Sequence, residues 1–426
     1  MTTTNTMLKR VSIDDVPSVR RVPIDAQTVA ESAVVVETVR ARGESAVRAQ
    51  AERFDEVSAG EALVLDREAM ERALGEIDPE ARGVLERAAD RVARFASAQR
   101  MSLGPARLGV PGGSAWHDVV PVQRAGCYAP GGRYPLVSSV LMTACTAKAA
   151  GVADITLATP KPSAMMLAAA AISGADRVLA VGGAHAIAAL AYGIDGVLEP
   201  SDAIVGPGNR WVTAAKQLVS GMVAIDMLAG PSELLVLADE TADAATVAAD
   251  LLAQAEHDVD AGAMLASTSA EVLDAVDVHL AEQLSDLPTA DTARAALERN
   301  SFGVLVEGEA GLIEVADRLA AEHLQVSCRD AESVARRIRH AGGVFVGEGS
   351  AEVFGDYGAG PNHTLPTGGT ARSFAGLSVF TFLRVRTGLR IDDAPEADAM
   401  IRDTAALARM EQLEAHARAA ERRLRG

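Results

Sequence analysis

DITLATPKPSAMMLAAAAISGADRVLAVGG, residues 154–183, decides the fold. DITLAT is a short apolar run with the length and β-branching of a buried strand. PSAMMLAAAAISG is an unbroken helix former closed by glycine. RVLAVGG is a second buried strand running into a glycine pair. A strand, a helix and a strand within thirty residues predict a parallel pair covered by its crossover helix.

The same alternation continues on both sides. AHAIAALAYG reads as a helix, AIVGPGN (203–209) as a strand entering a glycine turn, and RWVTAAKQLVSG as the helix after it. It restarts with ELLVLAD (233–239), DAATVAADLLAQAEH and GAMLAST, then FGVLVEG (302–308), GLIEVADRLAAEH and LQVSC, and ends at GGVFVGE (342–348). Two such blocks predict two α/β domains with parallel sheets. Residues 26–103 carry apolar residues at helical spacing, 104–125 change character with Gly and Pro clusters, and 349–376 read as loop. Residues 395–425 read as one final helix, too polar all round to be a core helix, which packs on something outside its own domain. The expected divisions are an N-terminal arm (1–25), a helical region (26–103), a first α/β domain (104–232), a second (233–376) and a helical tail (377–426).

The net charge of −18 argues against nucleic acid, because nothing would neutralise phosphates over a broad surface. Aromatics are 3% of 426 residues, so the cores must be built from Ala, Val, Leu and Ile. Cys127, Cys145 and Cys328 are odd in number and far apart, which excludes a disulfide framework or a thiolate cluster. MTTTNTMLKRVSIDD has no apolar signal core, and 164–194 is too interrupted to span a bilayer, so a cytoplasmic location is expected.

Three stretches carry possible chemistry. Gln254 and His257 are one helical turn apart and could reach one metal ion; a histidine at a helix end favoured by the macrodipole is the plainer reading. Glu322 and His323 adjoin at a helix end running into a strand. Held at the carboxyl edge of a sheet they could serve as two acid-base groups; an exposed Glu beside a capping His is the alternative. GDYGAGPNHTLPTGG (355–369) sets Asp356 and His363 among glycines and prolines, where Asx turns compete with function. GCYAPGGRYP (126–135) and VGPGNRW (205–211) read as glycine turns; neither is a dinucleotide fingerprint or a P-loop. There is no HExxH motif.

GCYAPGGRYPLVSSVLM, VGPGNRWVTAAKQLV, IDMLAGPSELLVLAD, AADLLAQAEHD, AEHLQV, GDYGAGPNHTLPTGGTAR and MEQLEAHA occur in this order, and together they resemble the histidinol dehydrogenase family from residue 53 to the last helix. The resemblance implies two incomplete, duplicated Rossmann-like domains and a homodimer whose tail crosses to a second subunit. It implies Zn²⁺ and NAD, and oxidation of L-histidinol to L-histidine through an aldehyde. By the same resemblance Gln254, His257 and Asp356 bind zinc with His416 of the other subunit. Glu322 and His323 are the acid-base pair, and Ser232, His363 and Glu411 contact substrate beside the zinc ligands and His323. Tyr128, His185 and Asn209 lie near the dinucleotide.

Four features depart from the family pattern. His185 stands where a Gln is usual, Ala321 replaces a Pro, Gln412 replaces a Gly, and FLRVRTGLRIDD (382–393) is less apolar than expected. They leave room for a relative that oxidises another primary alcohol, such as a sulfonated diol or a different amino alcohol. A zinc hydrolase using Glu322 and metal-bound water, without NAD, is the reading from another class.

Overall fold

The computed structural model describes residues 6–16, 24–131 and 135–424. Its architecture is two parallel sheets of six strands each, covered by helices, and a small antiparallel sheet. The first large sheet contains β2 (Val64–Leu65), β5 (Arg124–Tyr128), β6 (Asp154–Ala158), β7 (Arg177–Leu179), β8 (Ala203–Val205) and β9 (Ala224–Ile225), in the order β2-β7-β6-β5-β8-β9. The second contains β1 (Lys9–Val11), β10 (Glu233–Ala238), β11 (Gly262–Ser267), β12 (Phe302–Leu305), β13 (His323–Ser327) and β14 (Gly343–Val346), in the order β1-β12-β11-β10-β13-β14.

Counted from its own first strand, each block therefore winds 3-2-1-4-5, the doubly wound order without its sixth strand. On the far side each sheet borrows a strand from upstream. β2 runs antiparallel to β7, and β1 runs parallel to β12. The expectation of two incomplete, duplicated Rossmann-like sheets thus holds at the level of topology.

The sequence explains the elements locally. Asp25, Asp78, Ser163, Asn209, Asp243 and Ser269 each accept a backbone N–H at the start of a helix. Gly151 and Gly174 end theirs in the left-handed conformation. The central strands of each sheet are buried on both faces. Cys127, Ile155 and Leu157 face one core and Tyr128, Ala158 and Ile204 the other. Leu234 and Leu235 divide in the same way in the second sheet.

Several sequence expectations are corrected. GCYAPGGRYP is not only a turn: Arg124–Tyr128 is a central strand of the first sheet, and residues 132–134 lie outside the described residues. Short small-residue strands give no alternation to read. The Gly- and Pro-rich 104–125 and the atypical 382–393 are partners: β3 (Ala106–Val110), β4 (Gly113–Pro121) and β15 (Leu383–Ile391) form the antiparallel sheet. The tail is therefore not wholly helical. Leu377, Val379 and Phe382 are buried in the first domain's core before β15 begins. The final helix is two, Asp398–Met410 and Glu414–Glu421, broken at Gln412. No helix among the described residues is long and apolar enough to cross a membrane.

Candidate active site

The chemistry gathers at the amino edge of the second sheet, not at a carboxyl edge. Glu322 directly precedes β13 and His323 is its first residue. Ser232 directly precedes the neighbouring β10. Parallel strands are entered from helix C-termini, so this edge also receives the end of helix Ala244–Ala255, with Gln254 in its last turn and His257 just beyond. Helix Gly308–Leu319 stops there too, its cap Ala320 left-handed at φ 48°. Asp356 ends the short helix Val353–Asp356.

Glu322 is buried, and its Oε2 accepts the Ser232 hydroxyl at 2.6 Å and the Glu233 N–H at 3.0 Å. Burial dominates these bonds and pushes its carboxyl up to about 8. His323 is equally enclosed, and burial lowers its imidazole to about 4. Its Nδ1 lies 3.7 Å from Glu322 Oε2, and its Nε2 lies 3.6 Å from Glu352 Oε1 and 3.8 Å from Asp356 Oδ1. At neutral pH this is a neutral base beside a carboxyl close to its own titration point.

His257 is held in one tautomer. Its Nδ1 lies 2.8 Å from the Ala253 carbonyl, an acceptor only, so Nδ1 carries the proton. Its Nε2 then faces Asp356 Oδ2 at 3.3 Å, lone pair toward lone pair. Only a proton or a cation between them satisfies both, which is why the hydrogen bond to Asp356 raises His257 to about 9. Burial opposes ionisation of Asp356. The His257 bond and the imidazoles of His323 and His363 outweigh it and hold the carboxyl below its ordinary range. Gln254 is fully buried, and neither its amide oxygen nor its nitrogen has a partner. An orphaned buried amide one helical turn before His257, which itself faces Asp356, fits a nitrogen- and oxygen-ligated metal such as zinc.

Glu352 was missed by sequence reasoning. It is buried, both carboxylate oxygens lack hydrogen bonds, and burial raises it to about 8. His323, Glu352 and Asp356 bring ligand atoms within 4.8 Å of one another. The only signal was the i, i+4 spacing of Glu352 and Asp356 inside a stretch without helical periodicity. Ser139 was missed too. His363 lies with Nδ1 3.0 Å from the Asp356 carbonyl and Nε2 3.2 Å from Ser139 Oγ, on helix Val137–Ala150 of the first domain. Asn362 donates to the Met142 carbonyl of that helix at 2.9 Å. The polar loop thus docks on the first domain, and His323 and His363 line a cavity of about 290 Å³ with Phe95 and Phe345.

Glu411 and His416 are not brought to this cluster within one chain. Both are exposed, and His416 lines a different cavity, of about 1050 Å³, with Leu389, Ile391 and Met400.

Tyr128, His185 and Asn209 gather at the carboxyl edge of the first sheet. Tyr128 ends β5, and its hydroxyl accepts the Gly183 N–H at 3.2 Å. His185 lies in the first turn of helix Gly183–Tyr192, bonded through Nε2 to Glu56 at 2.8 Å. Asn209 caps helix Arg210–Val219, its Oδ1 accepting from Trp211 and Val212. The GPG turn before it needs glycine: Gly206 has φ 117°, and a Cβ would lie 2.0 Å from the Tyr128 carbonyl. Asp226 accepts the Gly206 N–H, and Lys216, buried, binds Asp226 and the Gly206 carbonyl.

The family model for histidinol dehydrogenase matches residues 20–424. The chain is 44% identical over 397 residues to the histidinol dehydrogenase of Pseudomonas aeruginosa, covering 92% of this chain and 89% of that one. It is 45% identical over 401 residues to that of Nocardia farcinica, covering 90% and 88%. The crystal structure of histidinol dehydrogenase from Elizabethkingia anophelis superposes with a TM-score of 0.91 at 31% identity, covering 99% of this chain and 98% of that one. The chain belongs to the histidinol dehydrogenase family and is an oxidoreductase.

Proposed function

We propose that the chain oxidises L-histidinol to L-histidine in two NAD-dependent steps, as a cytoplasmic, zinc-dependent homodimer with shared active sites. The observation that carries this reading is the union, at one buried edge, of a neutral histidine, a high-pKa glutamate, a Gln254 amide without a partner and the facing His257–Asp356 pair.

His323 takes the hydroxyl proton as the adjoining carbon gives a hydride to NAD⁺, leaving the aldehyde. Glu322 takes a proton from water as the water oxygen bonds to the aldehyde carbon, and His323 returns its proton to the aldehyde oxygen, giving the hydrate and leaving His323 neutral again. His323 then takes a hydrate hydroxyl proton as the second hydride leaves for a second NAD⁺. The sum is alcohol, water and two NAD⁺ going to carboxylate, two NADH and three protons. Ser232 orients the Glu322 carboxylate through the 2.6 Å bond. Gln254, His257 and Asp356, with His416 of a second copy, would hold zinc, which supplies orientation of the substrate's amino and imidazole nitrogens and some Lewis acidity. His363 and Glu411 complete the substrate pocket, the latter also from the second copy. The tail supports that exchange: Leu407, Met410 and Leu413 are 62%, 79% and 42% exposed around Glu411, an apolar elbow with no cover among the described residues.

The test is NADH formed per L-histidinol consumed, with and without chelator. Two NADH, lost on chelation and restored by Zn²⁺, support the reading. A zinc-loaded dimer that yields no NADH from histidinol refutes it and turns attention to other primary alcohols.

A further inference from the structure

We propose that Glu56 is a positioning and specificity-determining residue at the dinucleotide edge of the first sheet. It fixes His185 and favours a dinucleotide without a 2′-phosphate. The inference rests on the NAD-dependent reading above and deepens it.

Glu56 lies outside the parallel strands, in the loop after helix Glu44–Arg53. Its Oε2 takes two hydrogen bonds, from His185 Nε2 at 2.8 Å and from the Gly182 N–H at 3.1 Å. Its side chain is 10% exposed and that of His185 3%, so water competes poorly for the pair. Phe54 stacks on the imidazole, ring centroids 6.0 Å apart and planes at 11°.

In doubly wound sheets the N-terminus of a helix at this edge offers its N–H groups to a phosphate. At helix Gly183–Tyr192 the protein has already filled that position. Gly182 donates to Glu56 and Gly183 to Tyr128. The carboxylate is a built-in anion, so a ligand group approaching here must be neutral or a hydrogen-bond donor, such as a ribose hydroxyl. With Nε2 committed to Glu56, Nδ1 is the one ring nitrogen of His185 left to face a ligand. A 2′-phosphate would bring two negative charges to this carboxylate. Among the described residues no basic side chain lines the adjoining cavity of about 340 Å³, which Glu52, Asp55 and Glu61 share with Glu56. The arginines of the preceding helix Glu44–Arg53 are engaged: Arg48 binds Glu44 and the Glu61 carbonyl, and Arg53 lies over the Phe54 ring.

The experiment is calorimetric titration of the full-length protein with NAD⁺ and with NADP⁺, which needs no turnover. Wild type is expected to bind NAD⁺ the tighter. Glu56→Gln should weaken NAD⁺ several-fold and shrink the preference for NAD⁺ over NADP⁺ by about tenfold, because a charge is removed near the 2′ position. Glu56→Asp keeps the charge but is too short to reach both donors. It should weaken NAD⁺ and retain the preference, and it carries the test should the Gln variant fail to fold. In a His185→Gln background, Glu56→Gln should change NAD⁺ affinity by less than about twofold, since the coupled partner is gone. A merely structural role would not move the ratio of the two dinucleotides. Unchanged affinities and an unchanged ratio in Glu56→Gln would overturn the inference, as would wild type that binds neither dinucleotide. Wild type that binds NAD⁺ with preference yet makes no NADH from histidinol sinks the functional reading alone.

Discussion

The two large sheets are wound alike and used at opposite ends. At the carboxyl edge of the first, helices Gly183–Tyr192 and Arg210–Val219 present their N-termini, and the groups there are Tyr128, His185, Asn209 and a glycine turn. At the amino edge of the second, helices Ala244–Ala255 and Gly308–Leu319 present their C-termini, and the groups there are Gln254, His257, Glu322 and His323. Helix N-termini favour anions and C-termini favour cations. One duplicated fold therefore supplies a proposed dinucleotide edge and a proposed metal and acid-base edge by offering opposite poles. A carbonyl at the second edge makes the point atom by atom: the Ala253 oxygen, near a helix end, holds His257 Nδ1 and leaves Nε2 facing Asp356.

The division of labour can be broken most sharply at His323. Replacing it with Asn removes the base while filling similar space. Turnover of histidinol should fall by about 10³ to 10⁴, at the upper end of what general-base removal costs. NAD⁺ binding, measured separately, should stay within about twofold, because that edge belongs to the other sheet. A parallel loss of NAD⁺ affinity would mean the two edges are not independent. The shared-site proposal adds a mixing test. His323→Asn and His416→Asn homodimers, each inactive, should regain up to about a quarter of wild-type activity once subunits exchange, since each heterodimer has one intact site. No recovery among verified heterodimers would place both residues in one subunit's site.

At the first edge the largest effect is on stability. Asp226→Asn strands the Lys216 ammonium in the interior, which costs on the order of 3–5 kcal/mol. Urea unfolding would show it. The variant's remaining folded fraction should also bind NAD⁺ more weakly, because the Gly206 turn loses its anchor, while zinc content at the second edge stays unchanged.

What was legible in the sequence follows the same divide. Buried parallel strands announce themselves as unbroken apolar runs, so DITLAT and ELLVLAD were read directly. Arg124–Tyr128 was not, because Gly126 and Cys127 carry no β-branched signal, although that strand is central. The antiparallel sheet joins strands more than 260 residues apart, such as Thr387 with His117, and nothing local records that pairing. The site residues came from ordered motifs rather than from periodicity. The edge on which Glu322 and His323 sit was misjudged because a helix–strand junction is an amino edge, and only strand–helix junctions lie at the carboxyl side. Glu352 and Ser139 were invisible because their meaning depends on what they face.

The pH dependence sharpens the roles within the second edge. A glutamate raised to about 8 by burial is protonated below that pH and becomes a base above it. Oxidation of the aldehyde should therefore rise about tenfold per unit as pH climbs toward 8 and then level. His323, lowered to about 4, is already neutral throughout and contributes no inflection there. Glu322→Gln should abolish the rise and slow aldehyde oxidation far more than alcohol oxidation, measured with each substrate separately. An unchanged inflection near 8 in Glu322→Gln would assign that titration to another group.

The smallest effect concerns the tail that would join the two copies. Helix Asp398–Met410 ends in a Schellman arrangement. The Leu413 N–H reaches the Ala408 carbonyl at 2.8 Å and the Gln412 N–H the Arg409 carbonyl at 2.9 Å. Its left-handed position is Gln412, at φ 63°, a conformation that favours glycine. A side chain there costs about 1–2 kcal/mol, partly offset by the extra freedom glycine would have when unfolded. Gln412→Gly should thus stabilise the elbow by about 1 kcal/mol, seen as roughly fivefold slower amide exchange at Leu413. Gln412→Ala, which keeps the Cβ, should gain nothing. The bend itself does not depend on glycine, because Arg409 ties the two helices through Glu414 and Glu421. Turnover by Gln412→Gly should therefore stay within about twofold. A large loss would mean that the Gln412 side chain, and not only the bend, has work at the proposed interface.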